Sequence, residues 1–197
     1  MQEEFGSQLP NWAFSSSPLV TGDLVVVEVG GSDDRAIAAF DRESGALRWT
    51  GGAGDISYSS PILVDLDGLE HLVFLTKNGL QGLSLEGRTL WSSEFVPDLG
   101  IKPAPPVFVA PDLVFASASY EGGAKVVRLA REGSSVAVEE VWEHRLMRNH
   151  FNGSVVVDDH LCGFDKAFLK CVSAATGEAS WTLRGLGKGS LIRADAR

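Results

Sequence analysis

The apolar positions of this chain come in short runs separated by turn-forming residues. Val, Leu, Ile and Phe fill the runs, and Gly, Asp and Ser fill the gaps, which is the pattern of β-strands joined by tight turns. The pattern predicts these first four strands: Pro18–Val20, Leu24–Val29, Ala36–Asp41 and Ala46–Thr50. It predicts the next four at Ile62–Val64, His71–Thr76, Gly79–Leu85 and Thr89–Phe95. No long stretch shows the 3.6-residue period of an amphipathic helix, so the chain is predicted to be all-β.

Two sequence markers recur in a fixed order along the chain. One is a Gly-x-x-x-Trp phrase, which ends at Trp49, Trp91 and Trp181 and, with its glycine lost, at Trp142. The other precedes each copy of the first, at Ser17–Val20, Ser60–Leu63, Pro105–Phe108 and Gly153–Val156, and it starts a fifth time at Gly189–Ile192. Markers that keep their order and nearly their spacing indicate tandem structural repeats.

Four antiparallel strands in each repeat of roughly 40–50 residues are typical of a β-propeller blade. The sequence predicts four consecutive four-stranded blades at about 13–50, 56–95, 103–145 and 153–184, and the start of a fifth at 189–197. The whole chain, 1–197, is then a single partial propeller domain. The four repeated tryptophans are expected on outer strands, where they fill the space between neighbouring blades.

The phrase Ala-Phe-Asp-Arg-Glu-Ser-Gly-Ala-Leu-Arg-Trp at 39–49, echoed at 171–181, resembles the repeat of PQQ-like (quinoprotein-type) β-propellers. Propellers of this type are rings of seven or eight blades, so the resemblance implies that this chain is a partial arc, roughly half of a ring. The apolar blade faces at the two ends of such an arc are expected to be covered by the remaining blades of a longer parent chain or by a second copy of this chain. The resemblance also suggests an exported or periplasmic protein, although the pattern of the first residues predicts no signal peptide in this chain.

Two functions are compatible with the resemblance. Catalytic quinoproteins hold the quinone against a disulfide between adjacent cysteines and use an Asp base beside a calcium ion. Here the cysteines are Cys162 and Cys171, which are not adjacent. The chain is therefore predicted to be a non-catalytic binding or scaffold module without PQQ or calcium. The alternative is a fragment of a PQQ-dependent oxidoreductase whose catalytic residues lie outside this chain.

The charge of the chain indicates which classes of binding partner are disfavoured. The chain has 17 Lys and Arg residues against 26 Asp and Glu, for a net charge of −9, and the basic residues form no stripe. A nucleic-acid binder needs such a stripe to displace counterions from phosphates, so nucleic acid and anionic membrane surfaces are disfavoured. No apolar run approaches the length of about 20 residues needed for a membrane span. A protein or a small anionic ligand is the expected partner.

The best candidate for a binding site is a surface built from loops. In a propeller, the loops that join an outer strand to the next inner strand collect on one face, around the central channel. Their residues here are Tyr58, Lys102, Arg148, Asn149, His150 and Lys188. Basic groups around one mouth of an acidic protein would concentrate an anionic ligand. The competing interpretation is that these residues only cap strand ends and the gaps between blades.

Two further features have alternative interpretations. Asp65-Leu66-Asp67-Gly68 begins like a calcium loop, but it lacks the distal ligands of one, and Asp-Gly between apolar strands is a favoured hairpin turn. A two-residue turn at Lys166-Ala167 would place Cys162 directly opposite Cys171 on adjacent strands. The first interpretation of this pair is two reduced, buried thiols. The second is a disulfide, which an oxidising compartment would favour.

Overall fold

The apolar runs form antiparallel sheets in which each strand pairs with the next one along the chain. The computed structural model describes residues 2–95 and 102–194, and the side chains of Gln2 and Lys102 fall outside that description. Four sheets are present in the described residues, each with four strands in sequential order, and the third sheet has one additional short strand. The chain therefore consists of four-stranded antiparallel propeller blades, as the repeat predicts.

The strand bounds follow the predicted runs within a few residues. The first blade comprises β1 (Leu19–Thr21), β2 (Leu24–Gly31), β3 (Arg35–Asp41) and β4 (Leu47–Gly51). The second comprises β5 (Ile62–Leu66), β6 (Leu69–Thr76), β7 (Gly79–Ser84) and β8 (Thr89–Glu94). The third comprises β9 (Lys102–Pro103), β10 (Val107–Val109), β11 (Leu113–Ser119), β12 (Gly123–Glu132) and β13 (Ser135–His144). The fourth comprises β14 (Val155–Val157), β15 (His160–Asp165), β16 (Phe168–Ser173) and β17 (Ala179–Leu183).

The described residues divide into two compact units, and each has its own core. The first unit contains residues up to 95 together with 131–137, and the second contains 102–130 and 138–194. The buried core of the first unit is formed by Val26, Ala36, Ile37, Ala39, Leu72, Phe74 and Leu83. The core of the second unit includes Val109, Phe115, Val126, Trp142, Met147, Leu161 and Val172. One partial domain over 1–197, in a ring of seven or eight blades, stays a prediction.

Two of the four repeated tryptophans bond to the next blade, as expected, whereas the indole of Trp91 donates to His71 Nε2 within its own blade at 3.2 Å. Trp49 lies on the fourth strand of its blade, and its indole Nε1 donates to the carbonyl of Leu85 in the second blade at 2.8 Å. The Nε1 of Trp142 donates in the same way to the carbonyl of Ala174 in the fourth blade, at 2.8 Å. Within each unit, the tryptophan of one blade thus anchors the next.

The N-terminal residues form a single helical turn, α1 (Gln2–Phe5), which the strand pattern does not predict. Phe5 is buried and packs with Val29 and Ala38 of the first blade. Its ring also meets the edge of the Phe40 ring, with the centroids 6.3 Å apart. Among the described residues, no helix has the length and apolar content required to cross a bilayer.

The predicted turn at Lys166-Ala167 has the register that the sequence implies. Residues Asp165 and Phe168 are paired across it, and Cys162 pairs with Cys171. The two cysteines, whose Cα atoms are 4.0 Å apart, are joined in a disulfide. The disulfide corresponds to the second interpretation, and the first interpretation, two reduced thiols, is therefore wrong. Asp67 and Gly68 form the two-residue turn between β5 and β6, as the hairpin interpretation requires.

Reduction of the Cys162–Cys171 disulfide should lower the free energy of unfolding by about 2–3 kcal/mol, the value expected when a short loop is no longer closed in the unfolded chain. Urea unfolding with and without dithiothreitol measures the difference. The matched control is the double variant Cys162→Ser/Cys171→Ser, whose unfolding should not respond to the reductant. Two free thiols in the denatured, unreduced protein would contradict the disulfide.

Candidate functional site

The candidate loop residues of the second unit lie where several turns of the third and fourth blades meet. In a sheet of four sequential antiparallel strands, the second turn and the connection that leaves the fourth strand lie at the same end. The turn between β15 and β16 therefore shares one end of the fourth blade with the segment after β17, which carries Lys188. The connection from β13 to β14, which carries Arg148, Asn149 and His150, enters the fourth blade at this end.

Arg148 is held by a buried carboxylate at the end of β15. Its Nε lies 2.8 Å from Asp165 Oδ1, and a terminal guanidinium nitrogen lies 3.3 Å from Oδ2. Lys170 Nζ also donates to Asp165 Oδ2. Burial alone would raise the pKa of Asp165, but the hydrogen bonds from Arg148 and Lys170 outweigh burial and lower it. The Arg148–Asp165–Lys170 cluster carries two positive charges against one negative charge.

Asn149 connects the loop to both blades of the unit. Its backbone N–H donates to the Ser117 hydroxyl at 2.9 Å, and its side-chain amide nitrogen donates to the Phe164 carbonyl at 3.0 Å. Its amide oxygen accepts a hydrogen bond from Ser154 Oγ at 3.0 Å. Because Asn149 is buried and bonded in this way, its role is to position the loop.

His150 and Lys188 lie against aromatic rings. The ring centroids of His150 and Tyr120 are 5.2 Å apart, and those of His150 and Phe151 are 4.4 Å apart. Lys188 Nζ lies 5.5 Å from the centroid of the Tyr120 ring, within the range of a cation–π contact. Tyr120 and Phe151 are each about half exposed, so this part of the site combines positive charge with accessible aromatic surface.

A small cavity of about 40 Å³ opens between these loops. Two lysines and one histidine are among its lining residues, which are His150, Asn152, Phe164, Lys166, Lys188 and Gly189. Lys166 Nζ also pairs with Glu121 at 3.1 Å, and this pairing lowers the pKa of Glu121. We refer to the residues lining this cavity, together with Tyr120, Arg148 and Phe151, as the basic loop site.

The other two predicted residues are placed differently. Tyr58 belongs to the first unit, where its ring contacts Trp12 at a centroid distance of 5.7 Å and its hydroxyl accepts a hydrogen bond from the Trp12 backbone N–H at 3.3 Å. The backbone of Lys102 pairs with Ser119, while its side chain lies outside the described part of the chain.

Several residues of the site were not identified from the sequence. The contribution of Lys166, Phe164 and Asp165 was missed, although the predicted turn at Lys166-Ala167 contained the necessary signal. A turn between the second and third strands of a blade shares an end with the loop that enters the blade. Asp165, 17 residues from Arg148 in sequence, is brought to it by that arrangement.

No group of three or more His, Cys, Asp or Glu side chains within residues 2–95 and 102–194 has the arrangement of a metal site. The disulfide of Cys162 and Cys171 links β15 to β16, and both cysteines are buried. This arrangement does not fit a quinone that must lie against a disulfide between adjacent cysteines.

Three solved structures are similar to this chain, and the two with TM-scores above 0.5 show the likeness of the fold. BamB from Moraxella catarrhalis is 14% identical, with 88% of this chain and 64% of that chain covered and a TM-score of 0.44. Sqt1 from Saccharomyces cerevisiae is 13% identical, with 82% and 45% covered and a TM-score of 0.57. A europium-containing methanol dehydrogenase is 16% identical, with 86% and 46% covered and a TM-score of 0.55. The chain thus spans about half the length of the last two structures.

The sequence of the chain also matches the model of a protein family. No curated protein sequence matches the chain. The model described as outer membrane protein assembly factor BamB matches residues 4–183, which is nearly the whole chain and all four blades. On this match the chain belongs to the outer membrane protein assembly factor BamB family of PQQ-like β-propeller repeat proteins.

Proposed function

We propose that this chain is a non-catalytic propeller module that binds a carboxylate-bearing ligand, such as an acidic peptide segment, at the basic loop site. The observation that carries the proposal is the cavity between Lys166, Lys188 and His150, with the exposed rings of Tyr120 and Phe151 beside it. A cavity of about 40 Å³ admits a small group such as one carboxylate. The rest of a peptide would extend over the aromatic rings.

The charges of the site support an anionic ligand. The basic loop site contains the basic side chains of Arg148, Lys166 and Lys188, and Lys170 joins Arg148 in pairing with Asp165. Lys166 pairs with the second nearby carboxylate, Glu121. In the described residues Lys188 contacts an aromatic ring, and no carboxylate pairs with it. A local excess of positive charge on a chain of net charge −9 draws anions to that one place.

The absence of catalysis and of a cofactor is part of the proposal. The buried disulfide between β15 and β16 has neither the adjacent cysteines nor the exposure of a quinone-contacting disulfide. The competing hypothesis, a fragment of a PQQ-dependent oxidoreductase, requires that the intact protein take up quinone together with calcium. Equilibrium dialysis against both would separate the two hypotheses, and we expect no uptake.

Isothermal titration with a short Glu-rich peptide tests the proposed site. Lys188→Ala should weaken binding by about tenfold, which corresponds to about 1.4 kcal/mol for the loss of one charge contact. Binding should also weaken as salt rises, because exposed charges are screened. Since Lys188 is exposed, its replacement should leave the melting temperature unchanged.

The matched control is Lys77→Ala, which removes an exposed lysine of the first unit that pairs with Asp55. It should leave peptide affinity within twofold of the parent. If the Lys77 and Lys188 variants lost the same amount of peptide affinity, the binding would depend only on the net charge of the protein. That result would contradict a specific binding site. Unchanged affinity in the Lys188 variant would do the same.

A further inference from the structure

Two tryptophans of the chain share one docking geometry with the blade that follows. Trp49 donates its indole N–H to the Leu85 carbonyl at 2.8 Å. Its ring lies so close to the turn glycine of that blade that a Cβ placed on Gly87 would be 2.5 Å from it. The acceptor blade therefore contributes two things, a backbone carbonyl and a glycine just after it.

The second unit repeats the arrangement. Trp142 donates to the Ala174 carbonyl at 2.8 Å. A Cβ placed on Gly177, three residues further along the chain, would lie 3.0 Å from the Trp142 ring. Because the same donor and acceptor occur in both units, they define a complementary pair of surfaces that one blade offers to the next.

Within residues 2–95 and 102–194, one copy of each surface is unfilled. Trp181 occupies the equivalent position on β17 and is 47% exposed, whereas Trp142 is 6% exposed. No carbonyl among the described residues accepts a hydrogen bond from Trp181. The equivalent acceptor turn of the first blade contains Arg42 and, three residues later, Gly45. A Cβ placed on Gly45 would have no described heavy atom within 4 Å.

We propose that Trp181 of one copy of this chain docks on the Arg42–Gly45 turn of a second copy. The indole N–H would donate to the Arg42 carbonyl, and its ring would lie on Gly45, as in the two contacts within the chain. In a two-fold dimer, each copy supplies one donor and one acceptor, so both exposed surfaces are covered at once. Four exposed apolar residues lie on or near the two surfaces: Val20, Leu47, Trp181 and Leu183.

Two observations favour a second copy as the occupant. Both halves of the contact belong to the same chain, so self-association needs no other partner. The solved structures with TM-scores of 0.57 and 0.55 are about twice as long as the part this chain covers, and two copies supply that length. The N-terminal turn α1 leaves the acceptor open, because Phe5 packs on Val29 and Ala38 rather than on the Arg42–Gly45 turn.

Sedimentation velocity over a range of concentrations tests the contact. The parent chain should sediment as a dimer, and Trp181→Ala should shift it to the monomer. The matched control is Trp12→Ala, which removes a tryptophan that is 60% exposed but lies outside β17. That control should remain a dimer.

A glycine variant tests the acceptor half. Gly45→Ala places a Cβ where the partner indole would lie and should also give a monomer. Gly133→Ala is the control, since Gly133 has a similar positive φ (67°, against 70° for Gly45) and equally open surroundings. It should carry the same backbone strain and still dimerise.

A mixture of the Trp181→Ala and Gly45→Ala proteins gives the decisive result. Each variant lacks one half of the contact, and together they retain one intact Trp181–Gly45 pair, so heterodimers should form from two monomeric proteins. A parent chain that stays monomeric would overturn the proposal and assign the surfaces to further blades of a longer chain. A dimer that survives both substitutions would overturn it as well.

Discussion

Replacing Glu28 by Gln is expected to stabilise the protein by about 3 kcal/mol at pH 7, since each unit of pKa difference corresponds to about 1.4 kcal/mol. Glu28 lies on β2, with 2% of its surface exposed. Its Oε1 accepts a hydrogen bond from the Ser57 backbone N–H at 3.1 Å. Its Oε2 has no hydrogen-bond partner among the described residues. A carboxylate in this position is poorly solvated when ionised.

The burial of Glu28 raises its pKa to about 8, although the hydrogen bonds with Ser57 and the charge of Lys77 act in the opposite direction. The pKa in the folded state is thus higher than the value of 4.5 that applies to the unfolded chain. Between these two values the folded protein binds more protons than the unfolded chain. Its stability therefore falls as the pH rises from 4.5 towards 8.

Urea unfolding of the parent and the Glu28→Gln variant at several pH values measures this effect. The two proteins should have similar stability near pH 4.5, and the advantage of the variant should grow up to pH 8. Glu86→Gln, at an exposed residue, is the control and should change stability by less than about 0.5 kcal/mol. A difference between parent and Glu28→Gln that does not vary with pH would contradict the raised pKa.

Replacing Trp142 by Ala should lower the free energy of unfolding by about 3–5 kcal/mol, the range for deleting a large buried aromatic side chain. The residue is 6% exposed, it donates to Ala174, and its ring stacks on His144 with the centroids 5.4 Å apart. The substitution would open a cavity between the third and fourth blades. It would also leave the buried Ala174 carbonyl without its donor.

Trp181→Ala is the matched control, because it changes the same residue type at the same repeat position. In dilute, monomeric protein it should cost less than about 1 kcal/mol, since the side chain is half exposed and little packing is lost. Thermal unfolding of both variants checks the contrast. Equal destabilisation by the two substitutions would mean that the repeated tryptophan stabilises its own blade rather than the contact with the next one.

The sequence predicted the blades well because the signals are local. The apolar runs and the turn residues between them predict where the strands lie. The pairing of Cys162 with Cys171 follows from the two-residue length of one turn. The same reasoning missed α1, because four residues are too few to show a helical period and the burial of Phe5 depends on the folded blade. The strand pattern also did not predict whether the two cysteines are reduced or joined in a disulfide, because that depends on the cellular compartment, about which the strand pattern carries no information.

The site was predicted less completely because its partners are brought together by folding. Lys188 and His150 were identified as loop residues, and they line one cavity. The role of Asn149 is clear only from its hydrogen bonds to two strands, and the pairing of Arg148 with Asp165 requires the three-dimensional end of the blade. The sequence shows that a loop carries basic residues, but it does not show which carboxylate folds against them and neutralises part of their charge.

Binding of an acidic ligand is proposed at the basic loop site, where turns of the third and fourth blades meet. Amide chemical shifts recorded by two-dimensional NMR during titration with a Glu-rich peptide test it most directly. We expect the shifted signals to cluster at 120–121, 148–152, 164–166 and 188–189. Shifts confined to a different surface groove of this unit, lined by His144, Arg145 and Glu178, would contradict this binding site, as would an unchanged spectrum at saturating peptide.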